Sequence, residues 1–221
     1  MIIKDIYGKD ILTSDNYIAL GSFDGLHLGH LSLIHKVHEE AQKNGQLIGI
    51  LSQKLSQQEN PTEKDLYQIG TIAKIIKIIK LPDGNISAIT RGVQRFKVKN
   101  FIETEPYFTA EIEKLKDSST KKKEEYEALI DNIKDLAIKI IEIDPNIPGA
   151  ANFAIRNIEG QEDLLNFICV NANFSSENKQ KLLEEKSLMK RAELCYELMH
   201  DDFRRLELKN QIHQKTSRDL D

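Results

Sequence analysis

Ile69–Lys80 reads IGTIAKIIKIIK, and after Leu81-Pro82-Asp83-Gly84-Asn85 the chain returns through Ile86–Thr90, ISAIT. Apolar residues at Ile72, Ile75-Ile76 and Ile78-Ile79 alternate in part, and their branched side chains favour strand over helix. Pro82 pre-sets φ and Gly84 supplies a positive φ, so the intervening residues read as a turn. Beyond it, Arg91-Gly92 is expected to break the return strand. Gln94–Ile102 alternates again through Phe96, Val98 and Phe101, and Tyr107–Leu115 through Phe108, Ala110, Ile112 and Leu115. Short alternating segments of this kind imply a small, mostly antiparallel sheet or partial barrel.

Upstream, Leu47–Leu51 (LIGIL) is a strand, joined to the hairpin by the polar loop Gln53–Lys64. Tyr17–Leu20 is a short apolar run ending at Gly21 and reads as a buried strand. Gly21 to Gly29 is a glycine-punctuated turn. His30–Lys43 has helical apolar spacing, closed by Asn44-Gly45. The unit is strand, turn, helix, strand. Two outcomes are distinguishable: a parallel pair as in a βαβ unit, or entry of these strands into the antiparallel sheet.

Composition changes at Lys116. The segment 117–123, DSSTKKK, is a charged connection, and the chain beyond it reads as helices. Glu124–Glu142 carries Tyr126, Leu129-Ile130, Ile133, Leu136-Ala137 and Ile140-Ile141 on one face, stopped by Pro145 and Pro148-Gly149. Ala150–Asn157 and Gln161–Ala172 are further helices; Ser175-Ser176 caps another, and Ser187 to about Gln214 is a long amphipathic one. Phe153, Ile155, Phe167 and Leu194 are assigned to the helical core. No helix-stop residue closes the last segment, which suggests a fragment of a longer protein. The fold class is α+β: a sheet lobe, then an all-helical lobe. The parts are 1–45, 46–116 and 117–221.

The 221 residues hold 31 Lys+Arg against 35 Asp+Glu, a net charge of -4, with 40% hydrophobic and 30% charged residues. That balance is globular and argues against a dedicated nucleic-acid binder, which is usually basic. No apolar run approaches the roughly 20 residues of a membrane helix, and MIIKDIYGKD lacks a signal-peptide core. Cys169 and Cys195 fit neither a disulfide framework nor zinc spacing and read as core residues. A cytoplasmic protein is expected.

From about Gln46 to Asp221 the chain resembles the N-terminal domain of the Lon family of ATP-dependent proteases. The resemblance rests on EKDLYQIGTIAKIIKIIKLPDG, ITRGVQRFKV, EPYFTAEIE, NIPGAANFAIRNI and KQKLLEEKSLMKRAELCYELM, in the family's order. It implies a substrate-recognition and assembly domain whose partners are unfolded or damaged protein segments, in a parent that forms homohexamers. Tyr67, Ile69 and Ile72 are candidates for gripping such segments; the other reading places them in the core of the sheet. Gly8-Lys9-Asp10 is not a Walker A element, because no Gly lies five residues earlier and Asp10 replaces the Ser/Thr. With no Walker A and no Ser/Lys pair in protease context, the ATPase and peptidase modules are expected to be absent from this chain. No enzyme activity of its own and no cofactor are expected on this reading.

From Met1 to about Gly45 a second resemblance enters. Gly21-Ser22-Phe23-Asp24-Gly25-Leu26-His27-Leu28-Gly29-His30 resembles the HxGH motif of nucleotidyltransferases, in the bacterial FMN adenylyltransferase form. A strand ending at a glycine turn before a helix N-terminus suits phosphate, and two imidazoles would stabilise charge on an α-phosphate. The candidate nucleotide-binding residues are Gly21, Phe23, Asp24, His27, Gly29 and His30. ATP and magnesium enter only under this alternative, in which the chain is an adenylyltransferase fragment or part of a natural or engineered chimera joined near Gly45-Gln46. The second phosphate-gripping motif of that family is missing; Ser118-Ser119-Thr120 lacks its Arg. The competing reading is that this strand–helix unit is a passenger filling the place of the Lon-type first helix. No metal ligand set is read at His35 or His38.

Overall fold

LIGIL is apolar at four of its five positions because the strand it forms is interior. The computed structural model describes residues 3–5, 17–20, 47–55, 58, 61–80, 86–104, 108–118 and 120–218. In it β1 is Ile3–Asp5, β2 Tyr17–Leu20, β3 Leu47–Leu51, β4 Ile69–Lys80, β5 Ile86–Glu103 and β6 Thr109–Lys114. β3 pairs in parallel with β2 and antiparallel with β4. Successive side chains of a strand point to opposite faces, yet Ile48 and Leu51 are both buried. A strand covered on both faces reads as an unbroken apolar run, so LIGIL shows no alternation.

β4, β5 and β6 form an antiparallel meander, and β1 adds in parallel to the far side of β6. The order is β1-β6-β5-β4-β3-β2. The three inner ladders are antiparallel and the two outer ones parallel, so the sheet is mostly antiparallel as its sequence implied. The two outcomes set out for residues 17–51 coexist: Tyr17–Leu20 and Leu47–Leu51 are parallel neighbours, and Leu47–Leu51 is also a rung of the antiparallel sheet. The expected helix at 30–43 lies outside the described residues. β1, only IKD, has too few residues to show any pattern.

One expectation is corrected. Arg91-Gly92 does not end the return strand; β5 runs unbroken for 18 residues. Ala73 stands opposite Gly92 and Ile72 opposite Gln94, so Val93 is an extra residue in the ladder. A bulge absorbs one residue and lets the strand continue with a kink.

One face of the sheet buries Leu51, Leu66, Ile72, Phe96, Val98, Ala110 and Ile112 as a single core. The loop between β3 and β4 is tied to it. Lys54 N donates to Asp65 O at 2.7 Å and Tyr67 N to Ser52 O at 3.0 Å. Between these bonds a single 3-10 turn, Glu63–Asp65, aims Leu66 into the core.

The chain divides into two compact units, Met1–Lys116 and Asp117–Asp221. The second holds α1 (Lys123–Ile143), α2 (Ala150–Asn157), α3 (Gln161–Asn171), α4 (Ser176–Glu184) and α5 (Leu188–Arg218). Ser175 caps α4, its hydroxyl accepting from Asn178 N at 3.2 Å. α1 buries Tyr126, Ile130, Ile133, Ala137 and Ile140, one stripe at helical spacing. α5 answers with Leu188, Ala192, Cys195 and Met199. The two helices run side by side in the same direction. Ser118 N bonds Lys186 O at 2.9 Å at their starts, and Asn210 Nδ2 donates to Ile143 O at 3.2 Å where α1 ends. No helix among the described residues is long and apolar enough to cross a membrane.

Candidate functional site

The sheet places apolar residues on its surface by means of bulges. Ile75 faces Thr90 and Lys77 faces Ile89, leaving Ile76 as the extra residue of β4. Phe101 faces Ala110 and Glu103 faces Thr109, leaving Ile102 as an extra residue of β5. With Val93, these are three large, branched side chains at three irregularities. They are 57%, 60% and 56% exposed for Ile76, Val93 and Ile102. A bulge re-aims the side chain it inserts, so a residue whose sequence context reads as core is turned to solvent. Ile89, next to Ile76 across the ladder, is also exposed. Around them Lys74, Lys77, Arg91, Lys97 and Lys99 are exposed. The surface of the β4–β5 pair is therefore branched apolar residues interleaved with cations.

The residues singled out in the sequence fall in different places. Ile72 is 2% exposed within the sheet core, so a partner cannot reach it without opening the sheet. Tyr67 and Ile69 are half-buried. Beside them Asp65 accepts from Thr62 Oγ1 at 2.6 Å, Thr62 N at 2.8 Å and Gln58 Nε2 at 2.9 Å. These bonds, that from the Thr62 hydroxyl foremost, hold its carboxyl below the usual carboxylate range. Gly21, Phe23, Asp24, His27, Gly29 and His30 lie outside the described residues, as do His35 and His38. Phe153 is corrected: it is 73% exposed on α2, while Ile155 of the same helix is buried. Eight residues offer one buried stripe, and Ile155 takes it.

Arg191 escaped the sequence reading. It is only 4% exposed, and its guanidinium donates to the Asp117 carboxylate and twice to Glu185 O, from Nε at 3.2 Å and Nη2 at 2.7 Å. A lysine–arginine pair inside an amphipathic helix carries no local sign of burial; only the packing of residues 117 and 185 around the helix makes the cation internal. Among the described residues no group of three or more His, Cys, Asp or Glu is placed to hold a metal ion.

A mixed sheet handing over to a five-helix unit is the class of fold found in the N terminal domain of Mycobacterium avium complex Lon protease. That structure matches over 91% of this chain and 98% of its own, with a TM-score of 0.63 at 15% identity, a likeness of fold. The sequence profile described as ATP-dependent protease La (LON) substrate-binding domain matches residues 25–201. The chain belongs to this family. Relatives include Lon protease of Flavobacterium johnsoniae, 40% identical over 84% of this chain, and Lon protease of Karelsulcia muelleri, 44% identical over 71% of it. The chain spans 23% and 18% of those proteins' lengths. The match begins at residue 25, inside the histidine-bearing stretch, and so does not respect a family boundary at Gly45-Gln46. Nothing in these comparisons supports an adenylyltransferase fragment or a chimera.

Proposed function

We propose that this chain is the module with which a Lon-type ATP-dependent protease grips unfolded or damaged protein segments in the cytoplasm, before ATPase and peptidase modules act on them. The observation that carries the reading is the exposure of Ile76, Val93 and Ile102 at the bulges of β4 and β5. Unfolded segments expose apolar side chains that a native surface hides, and branched residues held out by rigid strands are ready to receive them. The neighbouring lysines and Arg91 favour segments whose apolar residues are mixed with acidic ones. Tyr67 and Ile69 retain open surface and add to the grip. Each contact is weak. Six linked copies in a ring would compensate by raising effective concentration.

The test is fluorescence anisotropy with a labelled, permanently unfolded protein such as a reduced and alkylated model substrate. The chain should bind it above an inert domain of equal size. Replacing Ile76, Val93 and Ile102 by Ser together should weaken binding about tenfold, a loss of about 1.4 kcal/mol. Equal binding by the triple variant would move the grip elsewhere.

A further inference from the structure

Residues 69–99 carry seven Lys and Arg and a single Asp, in a chain whose net charge is -4. Two of these cations face each other: Lys74 of β4 stands directly opposite Arg91 of β5. Paired residues share a face of the sheet. The next rung, Ile75 with Thr90, points the other way, and there Ile75 is buried. Ile76 is the inserted residue, so Lys77 stands opposite Ile89 and joins the face of Lys74 and Arg91. All four side chains of these two rungs are exposed, and among the described residues no carboxylate is paired with any of the three cations. We propose that the rungs Lys74–Arg91 and Lys77–Ile89 form a carboxylate-and-aliphatic subsite. It selects, among unfolded segments, extended ones in which an acidic residue stands two positions from an aliphatic one.

The inference rests on the gripping role proposed above and gives it a sequence preference. Like charges directly opposite on one face of an antiparallel pair repel and destabilise it. A carboxylate lying over Lys74 and Arg91 removes that repulsion, so the rung gains more from an anion than two separate surface cations would. Arg91 and Ile89 are two residues apart on β5, about 7 Å along the strand. An extended polypeptide repeats its own side chains on one face at the same interval. A segment lying along β5 therefore sets its acidic side chain on the cationic rung and its aliphatic one on Ile89, with Lys77 beside both. The bulge matters to this arrangement, because without it Lys77 would sit on the opposite face. The apolar half of the surface also speaks against single-stranded nucleic acid. That ligand is held largely by aromatic stacking, and the exposed large apolar residues described on β4 and β5 are aliphatic: Ile76, Ile89, Val93 and Ile102.

The experiment is fluorescence anisotropy of the folded chain with three labelled peptides of equal length. One repeats Val-Ser-Glu-Ser, which puts Val and Glu on one face of an extended chain. The second repeats Val-Glu-Ser-Ser, the same composition with the two on opposite faces. The third repeats Val-Ser-Gln-Ser. The first is expected to bind at least about threefold more tightly than either of the others, and salt at about 1 M should shrink the difference. In the double variant Lys74→Gln, Arg91→Gln the three peptides should bind alike. If that variant misfolds, the comparison on the unaltered chain decides alone. Equal binding of the three peptides, while a reduced and alkylated unfolded protein still binds, would remove the subsite and leave the grip standing. If neither the peptides nor the unfolded protein binds, the gripping role itself falls and the subsite with it. A preference that survives in the double variant would also overturn the proposal, as would displacement of the first peptide by oligo-deoxythymidine or by phosphatidylglycerol vesicles that bind more tightly.

Discussion

A methyl group on Gly70 would stand 2.1 Å from Ile50 O, 2.7 Å from Leu51 Cδ2 and 3.0 Å from Phe96 Cζ. The first of these is backbone of a neighbouring strand and cannot step aside, so the start of β4 requires the smallest residue. Gly70→Ala is expected to destabilise the protein by about 3 kcal/mol, read from the urea midpoint. Gly149→Ala, where nothing lies within 4 Å, should change it by less than about 0.5 kcal/mol. Tyr126 offers a second test. Burial, aided by Glu162, pushes its phenol up to about 12, and its hydroxyl has no hydrogen-bond partner among the described residues. The unfolded chain ionises this group near pH 10. Between pH 10 and 12 the unfolded state therefore gains what the folded state resists, and stability falls as pH rises. Tyr126→Phe should lessen that fall by up to about 2 kcal/mol at pH 12 and cost little at pH 7, measured by denaturation at both.

At the scale of elements, the bulges decide what the sheet shows to solvent. Alternation along Ile69–Lys80 and Gln94–Ile102 announces strands, but each inserted residue reverses the face of everything after it. Ile76, Val93 and Ile102 could not be sorted from Ile72, Ile75 and Val98 by spacing, because the sorting depends on which partner residue is skipped. Since the three lie on the surface, their joint replacement by Ser is expected to shift stability by less than about 1 kcal/mol, checked by thermal melting alongside the binding assay. Retained folding with lost binding is the signature of a contact surface. The helices were more legible. Tyr126 to Ile140 and Leu188 to Met199 keep strict helical spacing, and the elements appear within a few residues of the positions that spacing marks. Phe153 was misjudged because a two-turn helix buries one stripe and an aromatic residue gives no sign of which stripe that is.

For the molecule as a whole, the Asp117–Asp221 unit owns its core: every buried residue of that cluster, from Tyr126 to Met199, comes from within it. The buried Arg191 also finds its partners inside it, at Asp117 and Glu185. Residues 117–221 expressed alone are therefore expected to fold, with a helical circular-dichroism spectrum and a cooperative melt; a non-cooperative melt would contradict an autonomous core. At this scale the family match also reassigns residues 25–45. Glycines and histidines at motif spacing carried the nucleotidyltransferase resemblance, and a short motif specifies a local turn far better than it specifies a protein.

By itself the sequence determined that strands precede helices, because periods of two and of 3.6 are written into single segments and need no partner to be read. Its long run of Lon-like stretches likewise determined the family. Tertiary structure alone decided the parallel pairing of β2 with β3, the continuation of β5 through Arg91-Gly92 and the burial of Arg191. Each of these depends on which distant residues arrive next to one another. That choice is made by packing and register across the sheet and bundle, and no local window of residues contains it.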